Sequence, residues 1–264
     1  MTVEYAPKGL YGVLTPQANT TVEPELAIMT PPGYAWINAR ITSDKPTIEA
    51  RLLDYYATLP NQLRQFANAP IGCAVVATSG MSYLQGVASE DRTLATVSAE
   101  AGYPVFTSAT CAVDAIAALG ARRIGLVSPY PESLNVASRA YWAARGLTVA
   151  AEANAFRETA DFHPIYSLDA AQALSALDTL ASQDLDAILM LGTGMVTLEA
   201  ILLRHRVGRA PVLSCMLATG WRVTAALDKA PLDRASVLRW IDRPHWAGRM
   251  REFIAARDES KHKP

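Results

Sequence analysis

An apolar segment that ends in small hydroxyl residues recurs through this sequence, and it constrains the fold more than any other feature. Three pairs of such segments stand in the same order in the two halves of the chain: 12–15 with 124–128, 74–80 with 187–194, and 104–108 with 211–215. Helical spacing of apolar residues between them predicts parallel sheets with helices on both faces. We therefore predict an α/β fold of two pseudo-symmetric parallel-sheet halves, 1–115 and 116–227, followed by a helical extension over 228–264.

The hydroxyl residues follow the carboxyl ends of the predicted strands, which is the edge where parallel sheets bind ligands. The first turn, residues 15–21, leads into Glu23, Pro24 and Glu25, a composition typical of the start of a helix. Backbone N–H groups at such a turn favour an anion, best a carboxylate or phosphate. An ordinary capped turn is the alternative for any one of these segments, but their recurrence favours a binding site in the cleft between the halves.

Composition excludes several other classes of protein. The net charge of -1 gives no reason to expect nucleic acid or an anionic membrane as a partner. No apolar run reaches the length that spans a membrane. The cysteines are far apart without a CxxC pair, which favours a reducing, cytoplasmic location, and the histidines lack metal-ligand spacing. We expect a small molecule as the partner and no metal, and leave a homo-oligomer open.

Five motifs resemble the aspartate/glutamate racemase superfamily, and most of all its branch of maleate cis-trans isomerases and arylmalonate decarboxylases. They are residues 12–24 (GVLTPQANTTVEP), 78–80 (TSG), 119–130 (LGARRIGLVSPY) with Asn135, 194–200 (GMVTLEA), and 211–214 (PVLS) with Trp221. The resemblance implies two α/β halves with the active site between them. It also implies chemistry without a cofactor, at a carbon next to a carboxylate.

The sequence departs from that superfamily at two positions. Members that racemise or isomerise carry one cysteine in each half, where this chain has Ala77 and Gly192. Neither residue can act as a nucleophile, acid or base, and Cys73 lies inside a predicted strand. A mechanism with two cysteines is therefore not expected. Decarboxylation needs no base, and it becomes the leading hypothesis.

The resemblance implies that eight residues match or neighbour carboxylate-binding positions: Thr15, Asn19, Thr78, Ser79, Tyr130, Asn135, Thr193 and Gly194. In the decarboxylase branch, Thr78, Ser79 and Tyr130 would cradle the enediolate that forms as carbon dioxide leaves. Arg40, at the end of the second strand, is a candidate partner for a second carboxylate.

The proton donor has several candidates. Tyr130 is one, and Cys215 at the end of a predicted strand is another, with an inert buried thiol as its alternative. Asp161 and His163 lie in the polar segment 158–164 and would form an acid–base pair if that loop folds over the cleft; a solvated loop is the alternative.

Three other functions stay open beside decarboxylation. The first is an isomerase of the maleate isomerase or racemase type with a relocated acid or base. The second is a hydrolase or hydratase that activates water with Asp161 or His163. The third is a protein that binds a dicarboxylate without chemistry.

Overall fold

The computed structural model describes residues 3–156, 164–242 and 244–261, and two mostly parallel sheets form its core. The first sheet has the order β2-β1-β3-β4, with β1 (Gly9–Pro16), β2 (Tyr34–Ile41), β3 (Cys73–Val76) and β4 (Val105–Thr107). The second sheet has the order β6-β5-β7-β9-β8, with β5 (Arg123–Ser128), β6 (Thr148–Asn154), β7 (Ala187–Met190), β8 (Arg206–Val207) and β9 (Ala210–Ser214). Only the pairing of β8 with β9 is antiparallel among these described strands. The predicted α/β fold is confirmed.

Helices flank both sheets. Those of the first half are α1 (Val22–Met29), α2 (Ile48–Ala57), α3 (Leu59–Leu63), α4 (Gly80–Gln85), α5 (Val87–Ala101) and α6 (Ser108–Leu119). They continue with α7 (Glu132–Ala144), α8 (Ala170–Asp178), α9 (Leu198–Leu203), α10 (Cys215–Asp228), α11 (Arg234–Asp242) and α12 (Ala247–Lys261). Within the described ranges, no helix combines the length and apolarity needed to cross a bilayer.

The burial of the strands explains their sequence. Every residue of β3, β7 and β9 is buried. This agrees with their continuous apolar sequences, which are typical of strands covered on both faces. The edge strands β2 and β6 are mostly half-buried or exposed, and they carry more polar residues. Each parallel pair aligns the carboxyl ends of its strands, so the hydroxyl residues that follow them gather at one edge of each sheet.

The last helix of each half packs onto the other half. α6 and α10 lie side by side, joined by the hydroxyls of Ser108 and Thr219 at 3.0 Å and by an ion pair between Asp114 and Arg222. α10 also covers β1 and β3, while α6 contacts β7. Leu227 of α10 lies so close that a Cβ on Gly72 would meet it at 2.6 Å. One continuous hydrophobic core therefore includes both sheets.

The C-terminal extension packs on this core. Val237, Trp240 and Trp246 are buried, and α11 lies against α6, α10 and β9. The guanidinium of Arg249 donates to the carbonyl oxygens of Ile28 and Thr30, which closes the end of α1. The extension thereby joins the helical layer of the first half to that of the second.

Candidate active site

A cavity of about 40 Å³ lies between the halves, at the carboxyl ends of β1, β3, β5 and β7. Its described walls come from both halves: Pro16, Asn19, Ile48, Arg51, Leu52, Tyr55, Thr78, Tyr130, Ile165, Tyr166, Thr193 and Gly194. The cavity is therefore a small one. Five of the eight predicted binding residues, Asn19, Thr78, Tyr130, Thr193 and Gly194, line it.

Asn19 links the two halves at the floor of the cavity. Its side-chain oxygen accepts from the backbone N–H groups of Thr21 at 2.8 Å and Val22 at 3.0 Å, at the start of α1. Its amide nitrogen donates to the hydroxyl of Thr193 at 3.3 Å, and that hydroxyl donates to the carbonyl of Ala77 at 2.7 Å. The ends of β1, β3 and β7 are thus held together by buried polar side chains.

Tyr130 and Ser79 meet across the cleft, with their hydroxyl oxygens 3.0 Å apart. Burial raises the pKa of Tyr130 above its usual value, although the bond with Ser79 opposes this rise. Ser79 also contacts the thiol of Cys215, the first residue of α10, which the hydroxyl of Tyr83 contacts as well. Ser79 thus connects two other proton-bearing groups, the thiol of Cys215 and the phenol of Tyr130, and this row of three reaches the cavity at Tyr130.

The environment of Cys215 favours the thiol at neutral pH. Complete burial raises its pKa to about 11, although the hydroxyl of Ser79 and the backbone N–H of Gly192 lower it. These donors and the N-terminus of the 14-residue α10 nonetheless face the sulfur, and they would stabilise a thiolate formed there. The sequence left open whether Cys215 is an inert buried thiol or a proton donor. The two roles predict different reaction rates for a variant that lacks the thiol.

Asn135 fixes the turn that carries Tyr130. Its amide nitrogen donates to the carbonyl of Tyr130 at 3.1 Å, and its oxygen accepts from the hydroxyl of Ser128 at 2.5 Å. The hydroxyl of Ser128 in turn accepts from the backbone N–H of Tyr130 at 3.2 Å. Asn135 is not among the described residues that line the cavity, and its contacts orient Tyr130 rather than a ligand.

Thr15 and Arg40 brace the turn after β1 from outside the cavity. Thr15 donates to the side-chain oxygen of Asn38 at 2.5 Å, and neither Thr15 nor Arg40 is among the described lining residues. Arg40 donates to the carbonyls of Pro16 at 3.0 Å and Asn19 at 2.8 Å, and it pairs with Glu23. Arg40 thus binds the turn after β1. The sequence had instead suggested that it pairs with a second carboxylate of the substrate.

Sequence reasoning missed Arg51, which lines the cavity from α2. Only 4% of this residue is exposed, and one guanidinium nitrogen donates to the carbonyls of Lys45 at 3.1 Å and Pro46 at 3.2 Å. The sequence contains a signal for this residue, because helical spacing places Arg51 on the face of α2 that carries Ile48, Leu52 and Tyr55. A charge on the apolar face of an amphipathic helix is unusual, which distinguishes Arg51 from the other residues of this face.

Two glycines are required where the second half meets the cavity. Gly192 has a positive φ of 78°, and a Cβ there would lie 3.2 Å from the hydroxyl oxygen of Tyr130. A Cβ on Gly194 would lie 2.3 Å from the ring of Tyr166. Residue 192, where the resemblance to the superfamily implies a cysteine, is therefore strained for any L side chain, since the left-handed region favours glycine.

Asp161 and His163 lie outside the described residues, so their suggested roles stay predictions. Across the described part of the chain, no group of three or more His, Cys, Asp and Glu side chains is arranged to hold a metal ion.

Comparison with known proteins gives a family and a fold. The family model described as arylmalonate decarboxylase matches residues 12–237. The structure is similar to that of a maleate isomerase from Pseudomonas putida S16, with a TM-score of 0.75 and 23% identity over 83% of this chain and 93% of that one. A Nocardia farcinica maleate cis-trans isomerase variant with a covalently bound succinylcysteine intermediate gives the same TM-score and identity over 87% and 98%. An arylmalonate decarboxylase structure gives 0.69 and 19% over 83% and 92%. No protein of curated function matches the sequence.

Proposed function

The chain belongs to the arylmalonate decarboxylase family, and from this membership and the cavity we propose a cofactor-independent enzyme that acts on a small carboxylate through an enediolate-like state. We favour lyase chemistry of the decarboxylase type. The observation that carries the proposal is the row of Cys215, Ser79 and Tyr130 at the strand ends, opening on a cavity between the halves.

The cavity floor supports stabilisation of negative charge. Tyr130 and Thr78 bring hydroxyls to it and Asn19 brings an amide, while the proton of the Thr193 hydroxyl goes to the carbonyl of Ala77. When the bond to the departing carboxyl group breaks, its electron pair stays on the substrate carbon and spreads into the retained carboxylate. Donors that the fold holds in place need no reorganisation as this charge develops, and one such donor is worth roughly 3–4 kcal/mol.

Protonation of the carbon completes the reaction. Tyr130 gives its phenolic proton to the carbon, Ser79 passes its own proton to the Tyr130 oxygen, and the thiol of Cys215 reprotonates Ser79. One C–H bond forms and one S–H bond breaks, so the negative charge ends on the sulfur beside the N–H of Gly192. Solvent then restores the thiol after product release. Because Ala77 and Gly192 carry no proton to transfer, this row supplies an acid that those positions cannot.

The proposal is tested by turnover in deuterated water, read by NMR with a panel of malonates, maleate and other small dicarboxylates. Decarboxylation releases carbon dioxide and leaves one solvent deuterium in the product. An isomerase using the same row gives an isomer without gas release, and a hydrolase incorporates water oxygen. Binding without turnover across the panel would leave only the non-catalytic alternative.

Tyr130→Phe and Tyr11→Phe form the matched pair of variants. Each removes one buried phenolic hydroxyl that has a hydroxyl partner 3.0 Å away, but Tyr11 bonds to Thr30 and is not among the described residues that line the cavity. Tyr130→Phe should lower kcat by about 100-fold or more with little change in binding, as for loss of an oxyanion donor. Tyr11→Phe should leave kcat within a few-fold. Equal kcat in the two variants would remove Tyr130 from the mechanism.

Cys215→Ala separates the thiol from the hydroxyls. With the thiol absent, Ser79 and Tyr130 still stabilise the enediolate, but the row has lost the group that accepts the charge at the end. We expect kcat to fall about 10-fold or more, within the range of general acid effects, with KM nearly unchanged. Cys111→Ala is the control, since this buried thiol lies in α6 away from the cavity. A Cys215→Ala enzyme as active as the control would assign the thiol to packing.

A further inference from the structure

The hydroxyl of Tyr83 is buried without a hydrogen-bond partner among the residues that the structure describes. Tyr83 lies on α4, four residues after Ser79, so the two side chains share one face of the helix. It is not among the described residues that line the cavity. A buried phenol usually finds a partner, and one left without a partner in a native structure calls for an explanation such as a role in catalysis.

Three other aromatic side chains hold the ring of Tyr83. It meets the rings of Tyr130 and Trp142 edge-on, with centroids 6.1 Å and 5.7 Å away, and it packs against Tyr141 at 5.3 Å. All of these neighbours are buried. The oxygen of the hydroxyl is therefore fixed, and only its proton can rotate. A donor held in this way needs no reorganisation when a charge forms beside it.

The hydroxyl of Tyr83 faces the thiol of Cys215 and the hydroxyl of Ser79, without the geometry of a hydrogen bond to either. The sulfur of a neutral thiol is only a weak acceptor, whereas hydrogen bonds to an ionised group are about twice as strong. Burial raises the pKa of Tyr83 well above its usual value, and the nearby Cys215 and Tyr130 raise it further. Tyr83 therefore keeps its proton and remains a donor.

We propose that Tyr83 is a positioning residue for the proton transfer, because its hydroxyl donates to the sulfur of Cys215 once the thiol has given up its proton. This inference rests on the proposed function, in which the negative charge ends on that sulfur. Tyr83, the hydroxyl of Ser79 and the backbone N–H of Gly192 then surround the thiolate as the donors of an oxyanion hole surround an oxygen. Since a thiol accepts weakly, Tyr83 stabilises the charged state more than the resting enzyme, which lowers the barrier to proton transfer.

Urea unfolding tests whether the hydroxyl of Tyr83 is unpaired in the resting protein. Tyr83→Phe keeps the ring and removes the hydroxyl, and Tyr11→Phe is the matched control, because the buried hydroxyl of Tyr11 lies 3.0 Å from that of Thr30. Tyr83→Phe should unfold at the same urea concentration as the wild type or at a higher one, whereas Tyr11→Phe should unfold at a lower one. Equal losses in the two variants would overturn the inference, since Tyr83 would then have a partner at rest.

The ionisation of Cys215 tests the contact with the thiolate and needs no substrate. NMR of isotope-labelled cysteine follows ionisation through the Cβ signal, and Cys215→Ala identifies the signal of this residue. Tyr83 and Tyr130 are the ionisable groups that the described contacts place beside the sulfur, and burial keeps both neutral as the thiol begins to titrate. Tyr83→Phe should lower the ionisation constant of Cys215 about 10-fold, the effect of one hydrogen bond to a charged group. Equal constants in Tyr83→Phe and Tyr11→Phe would overturn the inference.

A double-mutant cycle of Tyr83→Phe and Cys215→Ala separates this inference from the proposed function. Tyr83→Phe alone should lower kcat about 10-fold with KM nearly unchanged, and it should cause no further loss in Cys215→Ala. If Cys215→Ala alone is as active as the wild type, the proposed row of proton donors fails. If Cys215→Ala is slow but Tyr83→Phe is as fast as the wild type, only the inference is overturned. The same holds if Tyr83→Phe slows both backgrounds equally, because Tyr83 then does not act through the thiol.

Discussion

A buried carboxylate between the two halves makes the stability of this protein depend on pH in an unusual direction. Glu25 of α1 is 5% exposed and reaches the start of α9 in the second half. It accepts from the backbone N–H groups of Thr197 at 2.6 Å and Leu198 at 3.1 Å. Burial nevertheless dominates these bonds and raises its pKa from 4.5 to about 7.

The hydrogen bonds of Thr197 agree with a protonated Glu25. The hydroxyl of Thr197 has one proton but three nearby acceptors, namely both oxygens of Glu25 at 3.1 Å and the hydroxyl of Ser214 at 2.9 Å. If Glu25 carries a proton, it donates to Thr197, and Thr197 donates to Ser214. Every group is then satisfied, and no charge is buried.

The size of the effect follows from the shift. A rise from 4.5 to about 7 corresponds to roughly 3 kcal/mol. Because the pKa is raised on folding, the folded state binds the proton more tightly than the unfolded one. The stabilisation is therefore fully present below pH 4.5 and is lost as the pH rises through about 7. About 2–3 kcal/mol of it should disappear between pH 5 and pH 8.

Glu25→Gln provides the measurement. Glutamine mimics the protonated acid, since its carbonyl can accept from the two backbone N–H groups and its amide can donate to Thr197. Urea unfolding of both proteins from pH 5 to pH 8 gives the difference in free energy of unfolding, and the nearby ion pair of Glu199 with Arg257 cancels because both proteins contain it. The variant should gain about 2–3 kcal/mol relative to the wild type over this range. A difference that stays constant with pH would refute the reasoning.

Three further predictions concern the site. Gly194→Ala should lower the free energy of unfolding by about 1–3 kcal/mol, because its Cβ would lie 2.3 Å from the ring of Tyr166. Urea unfolding against Gly248→Ala, where a Cβ meets open space, checks this, and equal stability would contradict it. Iodoacetamide at neutral pH should leave the native thiols unmodified by mass spectrometry, since Cys215 is fully buried with its pKa raised to about 11; rapid labelling of Cys215 would contradict its burial. Asn135→Ala should cost about 1–3 kcal/mol of stability and lower kcat with Tyr130 still present, because the carbonyl of Tyr130 loses its buried partner. Unchanged kinetics and unfolding would contradict that role.

The fold could be predicted because its signals are local. Apolar runs such as residues 72–77 and 187–191 bury both faces of a strand, and the helical spacing of the segments between them places one apolar face on the sheet. Between residues 47 and 66 the helical spacing continues, but Pro60 divides this segment into α2 and α3, because it lies in the first turn of α3 and cannot donate within a continuing helix. α4 was not predicted, since its glycine and serine favour a loop and tertiary burial decides its conformation.

The site could be predicted only as far as the strand ends. Their position follows from parallel pairing, which brought Asn19, Thr78, Tyr130 and Thr193 to one cavity. The position of a residue at the end of a strand does not determine the direction in which its side chain points. The hydroxyl of Thr15 faces Asn38, for example, and Asn135 binds its own turn. Arg51 lies on a helix and not at a strand end. Which face of this helix lines the cavity depends on tertiary packing, so the positions of the strand ends do not predict Arg51.

The exchange of α6 and α10 bears on how such a chain could arise and fold. If the same two halves were separate polypeptides, each lending its terminal helix to the other, they would form a domain-swapped dimer. A duplicated gene that joins them converts that assembly into one molecule without a new interface. The first half, expressed alone, would lack the helix that covers β1 and β3, since α10 belongs to the second half. The two parts should therefore be rescued by co-expression rather than folding independently, and the joined chain should unfold in a single transition.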